Sequence, residues 1–183
     1  MRIEPESGKR LLELMRWGLV PFWAKDLAIG NRMINARAET VADKPAFRVS
    51  LRKRRCLVLA DGFYEWQATG GAKQPYFFHR QDGYPMAFAG LWDRWEKGED
   101  GPLKTFTILT TSPNEVVAPV HKRMPVILEP EHHDLWLNPS LEDPESLLPL
   151  LVPARPDLLE TYPVSTYVNN PAHEGPDCVE PIE

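Results

Sequence analysis

The chain contains the stretch Cys56-Leu57-Val58-Leu59-Ala60-Asp61-Gly62-Phe63-Tyr64-Glu65-Trp66-Gln67, in which an apolar run is followed closely by an aromatic one. Residues 56–60 have the apolar character of a buried strand, and residues 63–67 read as a second strand. The Asp61-Gly62 pair between them is a frequent two-residue turn. The stretch therefore predicts an antiparallel hairpin.

A similar pattern recurs further along the chain. Residues 76–80 and 85–91 flank Gln81-Asp82-Gly83, a segment rich in turn-forming residues, and predict a second hairpin. Residues 104–109 alternate between apolar and polar side chains, which is typical of a strand with one buried face. Strands therefore dominate the middle of the sequence.

Short helices are predicted at the margins of these strands. One follows Pro45, and two more are predicted at Pro130–Leu137 and at residues 144–151, each with proline at its start. Hairpins combined with short peripheral helices indicate the α+β class. We expect one domain over residues 1–183, with a curled, largely antiparallel, barrel-like β-sheet flanked by short helices.

The composition is that of an ordinary globular protein. Of the 183 residues, 43% are hydrophobic, which is enough to bury one core. The chain contains no apolar run of membrane-spanning length and begins without the apolar core of a signal peptide, so we expect a soluble, cytoplasmic protein. Its two cysteines, Cys56 and Cys178, fit a reducing compartment and form no metal-ligand pattern, and we expect neither metal nor cofactor.

Charge is distributed unevenly along the sequence. The net charge of −5 arises from +6 over residues 1–128 and −11 over residues 129–183. The basic excess is concentrated in Arg48 and residues 52–55. Such a cluster can be a solvated helix end, where cations suit the negative end of the helix dipole, or a phosphate-binding surface. The cluster therefore permits a nucleic-acid partner without requiring one.

Glu65 is the most informative candidate for chemistry. Strand alternation places it on one face with Phe63, while Tyr64 and Trp66 lie on the other. Burial among aromatic side chains disfavours the charged carboxylate and raises its pKa, as in general acids and bases that act near neutral pH. The alternative is a glutamate at the rim of a sheet, paired with a nearby arginine.

Other candidate residues lie at boundaries between elements. His121 precedes an apolar strand, and an imidazole with a partly buried carboxylate is the pair that acid–base chemistry requires. Asn35, Arg37 and Glu39 share one face if their stretch is extended, and they could hold a polar substrate. Alternatively, Arg37 pairs with Glu39 and Asn35 caps the following turn.

Aromatic side chains add a second kind of candidate surface. Glycine and proline within residues 17–23 predict a structured loop that carries Trp17, Phe22 and Trp23. If a few exposed aromatic rings lie beside Arg37 and Arg123, they form a stacking platform with phosphate contacts, as in proteins that bind single-stranded nucleic acid.

Six blocks, taken in order, resemble the SOS response-associated peptidase family, or SRAP domain. The resemblance runs from about Leu12 to the end and includes the closing Tyr162-Pro163-Val164-Ser165 and Val168-Asn169. The blocks are Trp17-Gly18-Leu19-Val20-Pro21-Phe22-Trp23, Asn35-Ala36-Arg37-Ala38-Glu39-Thr40, residues 55–66, Ala89-Gly90-Leu91-Trp92, Thr110-Thr111 and His121-Lys122-Arg123-Met124-Pro125-Val126.

The resemblance implies a monomeric sensor of abasic sites in single-stranded DNA, acting at gaps and at single-strand/double-strand junctions in the DNA damage response. In that family an N-terminal cysteine condenses with the sugar aldehyde and closes to a thiazolidine crosslink. The resemblance further implies a nucleoid-associated location in the cytoplasm. It assigns the catalytic roles to Asn35, Glu65 and His121. It assigns the DNA contacts to Arg37, Thr110, Arg123, Trp17 and Trp23.

The sequence departs from the family at its beginning. Residue 2 is Arg2 rather than cysteine, and the family's opening segment has no counterpart. Cys56 and Cys178 cannot replace it, because their nitrogens are locked in amides and no internal cysteine can form a thiazolidine.

Two readings follow from this departure. Either the chain begins downstream of the true start, which the abrupt entry into the pattern favours, or it binds single-stranded or junction DNA without covalent chemistry. A general peptidase using Cys56 would require an exposed thiol. We therefore expect the family's proteolysis to be the self-processing that frees the N-terminal cysteine.

Overall fold

The computed structural model describes residues 1–4, 7–98 and 101–182. These residues form two compact units, which are described separately below. The first unit comprises Met1–Leu59, Ala87–Thr111 and Pro125–Val152, and the second comprises Ala60–Met86, Ser112–Met124 and Pro153–Glu183. The expectation of one domain over residues 1–183 stays a prediction.

The strands range from two residues to ten residues in length. The strands are β1 (Arg2–Ile3), β2 (Arg10–Leu11), β3 (Arg16–Trp17), β4 (Asn35–Arg37), β5 (Arg55–Ala60), β6 (Gly62–Thr69), β7 (Ala72–Arg80), β8 (Met86–Trp95), β9 (Leu103–Thr111), β10 (Met124–Pro125) and β11 (Leu159–Pro163). The α-helices are α1 (Arg48–Lys53) and α2 (Pro130–Leu137). Short 3-10 segments occupy Leu27–Arg32, Ala38–Thr40, Pro144–Ser146, Leu148–Leu150, Pro156–Leu158, Thr166–Asn169 and Pro176–Cys178.

The first unit is built on a six-stranded sheet with the order β10-β9-β8-β5. β8 and β9 pair antiparallel, while the short strands β3 and β4 each pair with β9 in parallel. The core beneath this sheet includes Leu57, Leu91, Leu109 and Trp136. A separate two-stranded sheet joins β1 to β2.

Arg55 anchors the two α-helices of the first unit. Its guanidinium donates to the carbonyls of Leu51 and Arg52 at the end of α1, and to those of Trp136 and Asn138 at the end of α2. The last carbonyls of a helix lack partners within the helix, so a buried guanidinium with five donors suits them well. Arg55 is therefore structural, which excludes it from a phosphate-binding surface.

The second unit is built on a three-stranded antiparallel sheet with the order β11-β7-β6. β6 and β7 form a hairpin whose turn is Gly70-Gly71, between the paired residues Thr69 and Ala72. Both glycines have positive φ, +54° and +109°, as a tight hairpin turn requires. Phe63 of β6 stacks on Phe78 of β7 with the ring centroids 4.9 Å apart.

Both hairpins predicted from the sequence are wrong. β5 lies in the six-stranded sheet and β6 in the three-stranded sheet, so Asp61-Gly62 joins strands that do not pair. Gly62 is glycine because a Cβ there would lie 2.3 Å from the Phe77 ring. The Gln81-Asp82-Gly83 segment does turn, since Gly83 donates to the Arg80 carbonyl at 3.1 Å, but it too joins strands of different sheets.

The helix predictions fare better. The predicted helix at Pro130–Leu137 is confirmed over the same residues, and the helix expected after Pro45 is confirmed as α1. Residues 144–151 form two 3-10 turns rather than one helix. The α+β class is confirmed: the sheets are largely antiparallel, and the helices are few and short.

Candidate active site

Glu65 and His121 form a close carboxylate–imidazole pair in the second unit. The Glu65 Oε1 atom lies 3.1 Å from His121 Nδ1, and the two side chains are 21% and 42% exposed. The Arg123 carbonyl also lies 3.1 Å from Nδ1. Because both neighbours accept hydrogen bonds, Nδ1 carries the proton, and Nε2 is the ring nitrogen left to exchange a proton with a ligand.

The pKa of Glu65 is raised above its ordinary value, as the sequence predicts. Burial is the main cause, and the neighbouring His121 opposes it through its charge and its hydrogen bond. The partner of Glu65 is thus an imidazole, not the arginine of the alternative reading. A carboxyl group poised in this way can take up and release a proton closer to neutral pH than an exposed glutamate can.

The turn that carries His121 is tied to the sheet. His121 donates its backbone N–H to the Val117 carbonyl at 2.9 Å. Gln67, two residues beyond Glu65 on β6, donates from Nε2 to the Pro119 carbonyl at 2.9 Å and accepts from the Tyr76 hydroxyl at 3.3 Å. Gln67 therefore fixes the imidazole-bearing turn against the strand that carries the carboxylate.

The pair opens into a polar cavity of about 430 Å³ within the second unit. Its lining residues are Glu65, Trp66, Lys73, His121 and Asn169. The Trp66 indole N–H donates to the Asn169 side-chain oxygen at 2.7 Å, which fixes one wall. A cavity of this size, with a few convergent polar groups, is typical of a binding site for a small ligand.

Sequence reasoning did not select three of the cavity residues as site residues, namely Trp66, Lys73 and Asn169. Asn169 was visible only within the closing block of the resemblance, and Lys73 was not singled out. A signal for Lys73 existed in Gly70-Gly71, a two-residue turn that, once recognised, pairs Lys73 with Ala68 beside Trp66.

Asn35, Arg37 and Thr110 lie together on two paired strands of the first unit. Asn35 and Arg37 are exposed on β4 on either side of the buried Ala36, and Arg37 pairs with Thr110 of β9. Thr110 is itself buried, and its hydroxyl donates to the Ala36 carbonyl at 3.5 Å. Glu39 leaves the predicted shared face, because β4 ends at Arg37 and a 3-10 turn follows.

The capping alternative for Asn35 is not observed. The N-cap residue of the 3-10 turn Ala38–Thr40 is Arg37, and no side chain caps the turn. Asn35 instead occupies the first position of β4, paired with Ile108 of β9.

The aromatic loop at residues 17–23 is structured, as expected. Trp17, Phe22 and Trp23 are 51%, 49% and 48% exposed, whereas the intervening Leu19 and Val20 are fully buried. The Trp17 indole N–H donates to the Ile34 carbonyl at 2.8 Å, which fixes its ring at the surface of the first unit. Three half-exposed rings on a fixed loop could stack on flat ligands such as nucleobases.

Cys56 is unsuited to nucleophilic chemistry. Its side chain is buried, and burial raises the pKa of the thiol to about 12. A thiol that stays protonated at neutral pH is a poor nucleophile. Within the described part of the chain, no group of three or more histidine, cysteine, aspartate or glutamate side chains is arranged to hold a metal ion.

The fold and the Glu65–His121 pair define an α+β protein with a candidate acid–base site beside a polar cavity. The family model described as SOS response associated peptidase (SRAP) matches residues 1–171. The chain belongs to this family.

Two named relatives align with nearly the whole chain. The abasic site processing protein YoqW of Bacillus subtilis (strain 168) is 47% identical over 179 residues, which cover 97% of this chain and 80% of that protein. The abasic site processing protein HMCES of Gallus gallus is 37% identical over 204 residues, covering 98% of this chain and 60% of that protein.

Solved structures share the fold. A protein structure from Bacteroides thetaiotaomicron has a TM-score of 0.85 at 33% identity and covers 92% of this chain and 76% of that chain. A second, from Bordetella bronchiseptica, has a TM-score of 0.73 at 31% identity and covers 82% of this chain and 76% of that chain. The likeness agrees with the α+β class expected from the sequence. None of the helices in residues 1–4, 7–98 and 101–182 has the length and apolar character needed to cross a membrane.

Proposed function

We propose that this protein processes abasic sites in DNA and that Glu65 and His121 are its proton-transfer pair. The observation that carries the proposal is the 3.1 Å contact between Glu65 Oε1 and His121 Nδ1 beside a polar cavity. It occurs in a chain 47% identical to an abasic site processing protein. The proposed substrate is an abasic nucleotide in single-stranded DNA, at a gap or a junction with duplex DNA.

The chemistry of an abasic sugar calls for such a pair. The sugar is a cyclic hemiacetal, and opening it to the reactive aldehyde removes a proton from the hydroxyl on C1′ and adds one to the ring oxygen. One group must act as base and another as acid, with no net gain or loss of protons. A carboxyl group with a raised pKa and an imidazole with a free Nε2 suit these two roles.

The covalent step is proposed only for a form of the protein that presents an N-terminal cysteine. Its amine and the aldehyde form an imine and release water, and its thiol then adds across the carbon–nitrogen double bond to close a thiazolidine. Arg2 occupies position 2 of this chain, so the 183 residues supply the acid–base groups without that nucleophile. In this proposal Asn35 orients the amine and the sugar.

The proposed DNA contacts are assigned residue by residue from the family resemblance. Arg37, Thr110 and Arg123 would contact phosphates, and Trp17 and Trp23 would stack on bases. Support comes from the exposure of Arg37 and of both indole rings. Thr110 is buried, so it could contact a phosphate only through its hydroxyl, which also donates to the Ala36 carbonyl. The cytoplasmic, nucleoid-associated location and the monomeric state of the protein stay predictions.

The test uses the chain preceded by a segment that begins with Met-Cys, incubated with single-stranded DNA carrying one abasic site. We expect a heat-stable band of reduced mobility, formed about 10²-fold or more slowly by Glu65→Gln and by His121→Gln. His132→Gln, an exposed histidine on α2, is the control and should react at the unmodified rate. A band that forms equally fast in all variants would show that the pair has no part in the reaction.

A second candidate function is non-covalent binding of single-stranded or junction DNA. The exposed aromatic loop and the exposed Arg37 favour it, because stacking and phosphate contacts suffice for such binding. We expect salt-sensitive binding that weakens in Arg37→Ala and in Arg123→Ala but not in Lys9→Ala. Binding that is insensitive to salt, or equal for a neutral polymer, would contradict it.

A further inference from the structure

The cavity beside Glu65 contains a cation that the proton-transfer chemistry does not use. We propose that Lys73 binds the phosphate flanking the reacting sugar, which makes the cavity a sugar–phosphate subsite for an abasic nucleotide. This inference rests on the proposed function and names the group that holds the substrate backbone at the reacting pair. It assigns a ligand contact to a residue that sequence reasoning did not select.

The backbone holds Lys73 at a defined place. It lies on β7, paired with Ala68 of β6, just beyond the Gly70-Gly71 turn. The neighbouring pair on this hairpin is Gln67 with Gln74. Gln67 donates to the Pro119 carbonyl and so ties β6 to the segment before His121. Lys73 therefore moves with the strand that carries Glu65, not with a free loop.

Lys73 is available to a ligand. Its side chain is exposed, and within residues 1–4, 7–98 and 101–182 it forms no salt bridge. An exposed lysine is usually only solvated, so availability alone does not make a site. The distinguishing feature is that Lys73 lines a concave cavity together with Trp66 and Asn169.

Charge balance explains why a cation belongs there. An ionised Glu65 in the same cavity repels the phosphates on both sides of an abasic sugar. Among the described residues that line the cavity, Lys73 is the one lysine or arginine. Its ammonium offsets that repulsion, and a compact, flexibly placed ammonium can follow a phosphate as the sugar ring opens.

The wall formed by Trp66 and Asn169 suits a nucleotide without a base. Trp66 is partly exposed, and its indole N–H is held by Asn169, so the ring is fixed and offers apolar surface. A deoxyribose that has lost its base presents apolar carbon atoms and polar oxygens together. A fixed indole with an amide beside it can contact both kinds of surface.

The first experiment measures binding of single-stranded DNA that carries a tetrahydrofuran residue, a non-reacting analogue of the abasic sugar. Affinity is followed as salt is raised for the unmodified chain, for Lys73→Gln, for Lys73→Arg and for the exposed control Lys9→Gln. We expect the slope of log K against log salt to shrink by about 0.7 in Lys73→Gln, the value for one lost phosphate contact on a single strand. Lys73→Arg and Lys9→Gln should retain the slope.

The second experiment locates the contact. One phosphate beside the tetrahydrofuran residue is replaced by an uncharged methylphosphonate, first on the 5′ side and then on the 3′ side. At one of the two positions, we expect the replacement to weaken binding by the unmodified chain and to have no further effect on Lys73→Gln. Equal losses for both proteins at both positions would overturn the assignment of Lys73.

The two proposals fail in different ways. If the unmodified chain does not bind the tetrahydrofuran DNA at all, the proposed function fails. If it binds, and Lys73→Gln shows the same affinity and salt slope as Lys9→Gln, the proposed function stands and the Lys73 subsite is wrong.

Discussion

At the scale of the residue, Glu65 shows how a fold can hold a carboxyl group between two protonation states. Burial favours the neutral acid and His121 favours the carboxylate, so the raised pKa is the balance of two opposed effects. Neither effect belongs to Glu65 alone. The protonation state of this residue is therefore sensitive to changes in its neighbours.

The raised pKa of Glu65 gives a prediction for stability. A carboxyl group whose pKa is higher in the folded than in the unfolded chain adds stability below its ordinary pKa of about 4.5, and this is lost as pH rises through the folded value. Glu65→Gln has no carboxyl group to ionise at this position, so it does not lose this stability as pH rises. We expect the free energy of unfolding of Glu65→Gln, relative to the unmodified chain, to increase between about pH 4 and pH 8.

Urea unfolding at several pH values measures this difference. Glu174→Gln, an exposed glutamate of the same unit, is the control and should show a smaller dependence on pH. A difference for Glu65→Gln that stays constant or decreases with pH would mean that burial does not raise the pKa of Glu65.

At the scale of the element, Gln67 connects β6 with the turn that carries His121. Gln67→Met keeps the length of the side chain and removes the hydrogen bond to the Pro119 carbonyl. We expect the pKa of Glu65 to rise further, because a looser His121 opposes burial less effectively. Carbon-13 NMR titration of the Glu65 carboxyl measures this pKa. The same titration in His121→Gln sets the upper limit of the rise.

The matched control is Gln81→Met, another glutamine of the second unit that donates to a backbone carbonyl, that of Leu159. It should leave the titration of Glu65 unchanged. If Gln67→Met leaves it unchanged as well, the turn is held in place by contacts other than Gln67.

Gly62 gives a second prediction at this scale. A Cβ at this position would lie 2.3 Å from the Phe77 ring and 2.5 Å from the Phe78 carbonyl oxygen. We expect Gly62→Ala to lower the free energy of unfolding by about 1–3 kcal/mol through overpacking. The adjacent exposed residue is the control, and Asp61→Ala should lie within about 0.5 kcal/mol of the unmodified chain. A tolerated alanine at position 62 would show that β6 and β7 can separate at little cost.

The elements also show what a sequence can and cannot reveal. The helix Pro130–Leu137 was predictable because its proline start and its length are local signals. The hairpins were not, because Asp61-Gly62, Gly70-Gly71 and Asp82-Gly83 all carry turn signals. Only Gly70-Gly71 joins neighbouring strands of one sheet, and strand pairing depends on contacts between distant segments that no local pattern records.

At the scale of the molecule, each unit has its own means of joining distant segments. In the first unit it is Arg55, whose guanidinium donates to carbonyls at the ends of α1 and α2. We expect Arg55→Met to cost about 2–4 kcal/mol, because buried carbonyls lose their donor. Arg55→Lys should recover part of this lost stability. Arg52→Met, at an exposed neighbouring position, is the control.

Hydrogen exchange of the Trp136 indole N–H reports the effect within the first unit. This group donates to the Cys56 carbonyl at 2.9 Å, and Trp136 is fully buried. We expect faster exchange in Arg55→Met than in Arg52→Met. Equal rates would show that the carbonyls find other partners once Arg55 is replaced.

The site was partly predictable for a similar reason. Glu65 and His121 were identifiable from residue type and local setting, and the structure places them in contact. Lys73 and Asn169 were not, since their place depends on long-range packing: Trp66 and Asn169 are 103 positions apart and share a hydrogen bond of 2.7 Å. Residue type and local pattern identify candidate acid–base groups more readily than the walls of the cavity around them.

The contact between Gly18 and Gly30 beneath the aromatic loop limits how this protein can change during evolution. A Cβ on Gly18 would lie 2.7 Å from the Gly30 carbonyl oxygen, and a Cβ on Gly30 would lie equally close to that of Gly18. Neither position can gain a side chain, and changing both together does not relieve the clash. Changes within this loop are therefore expected at its exposed rings, Trp17, Phe22 and Trp23, while Gly18 and Gly30 stay glycine.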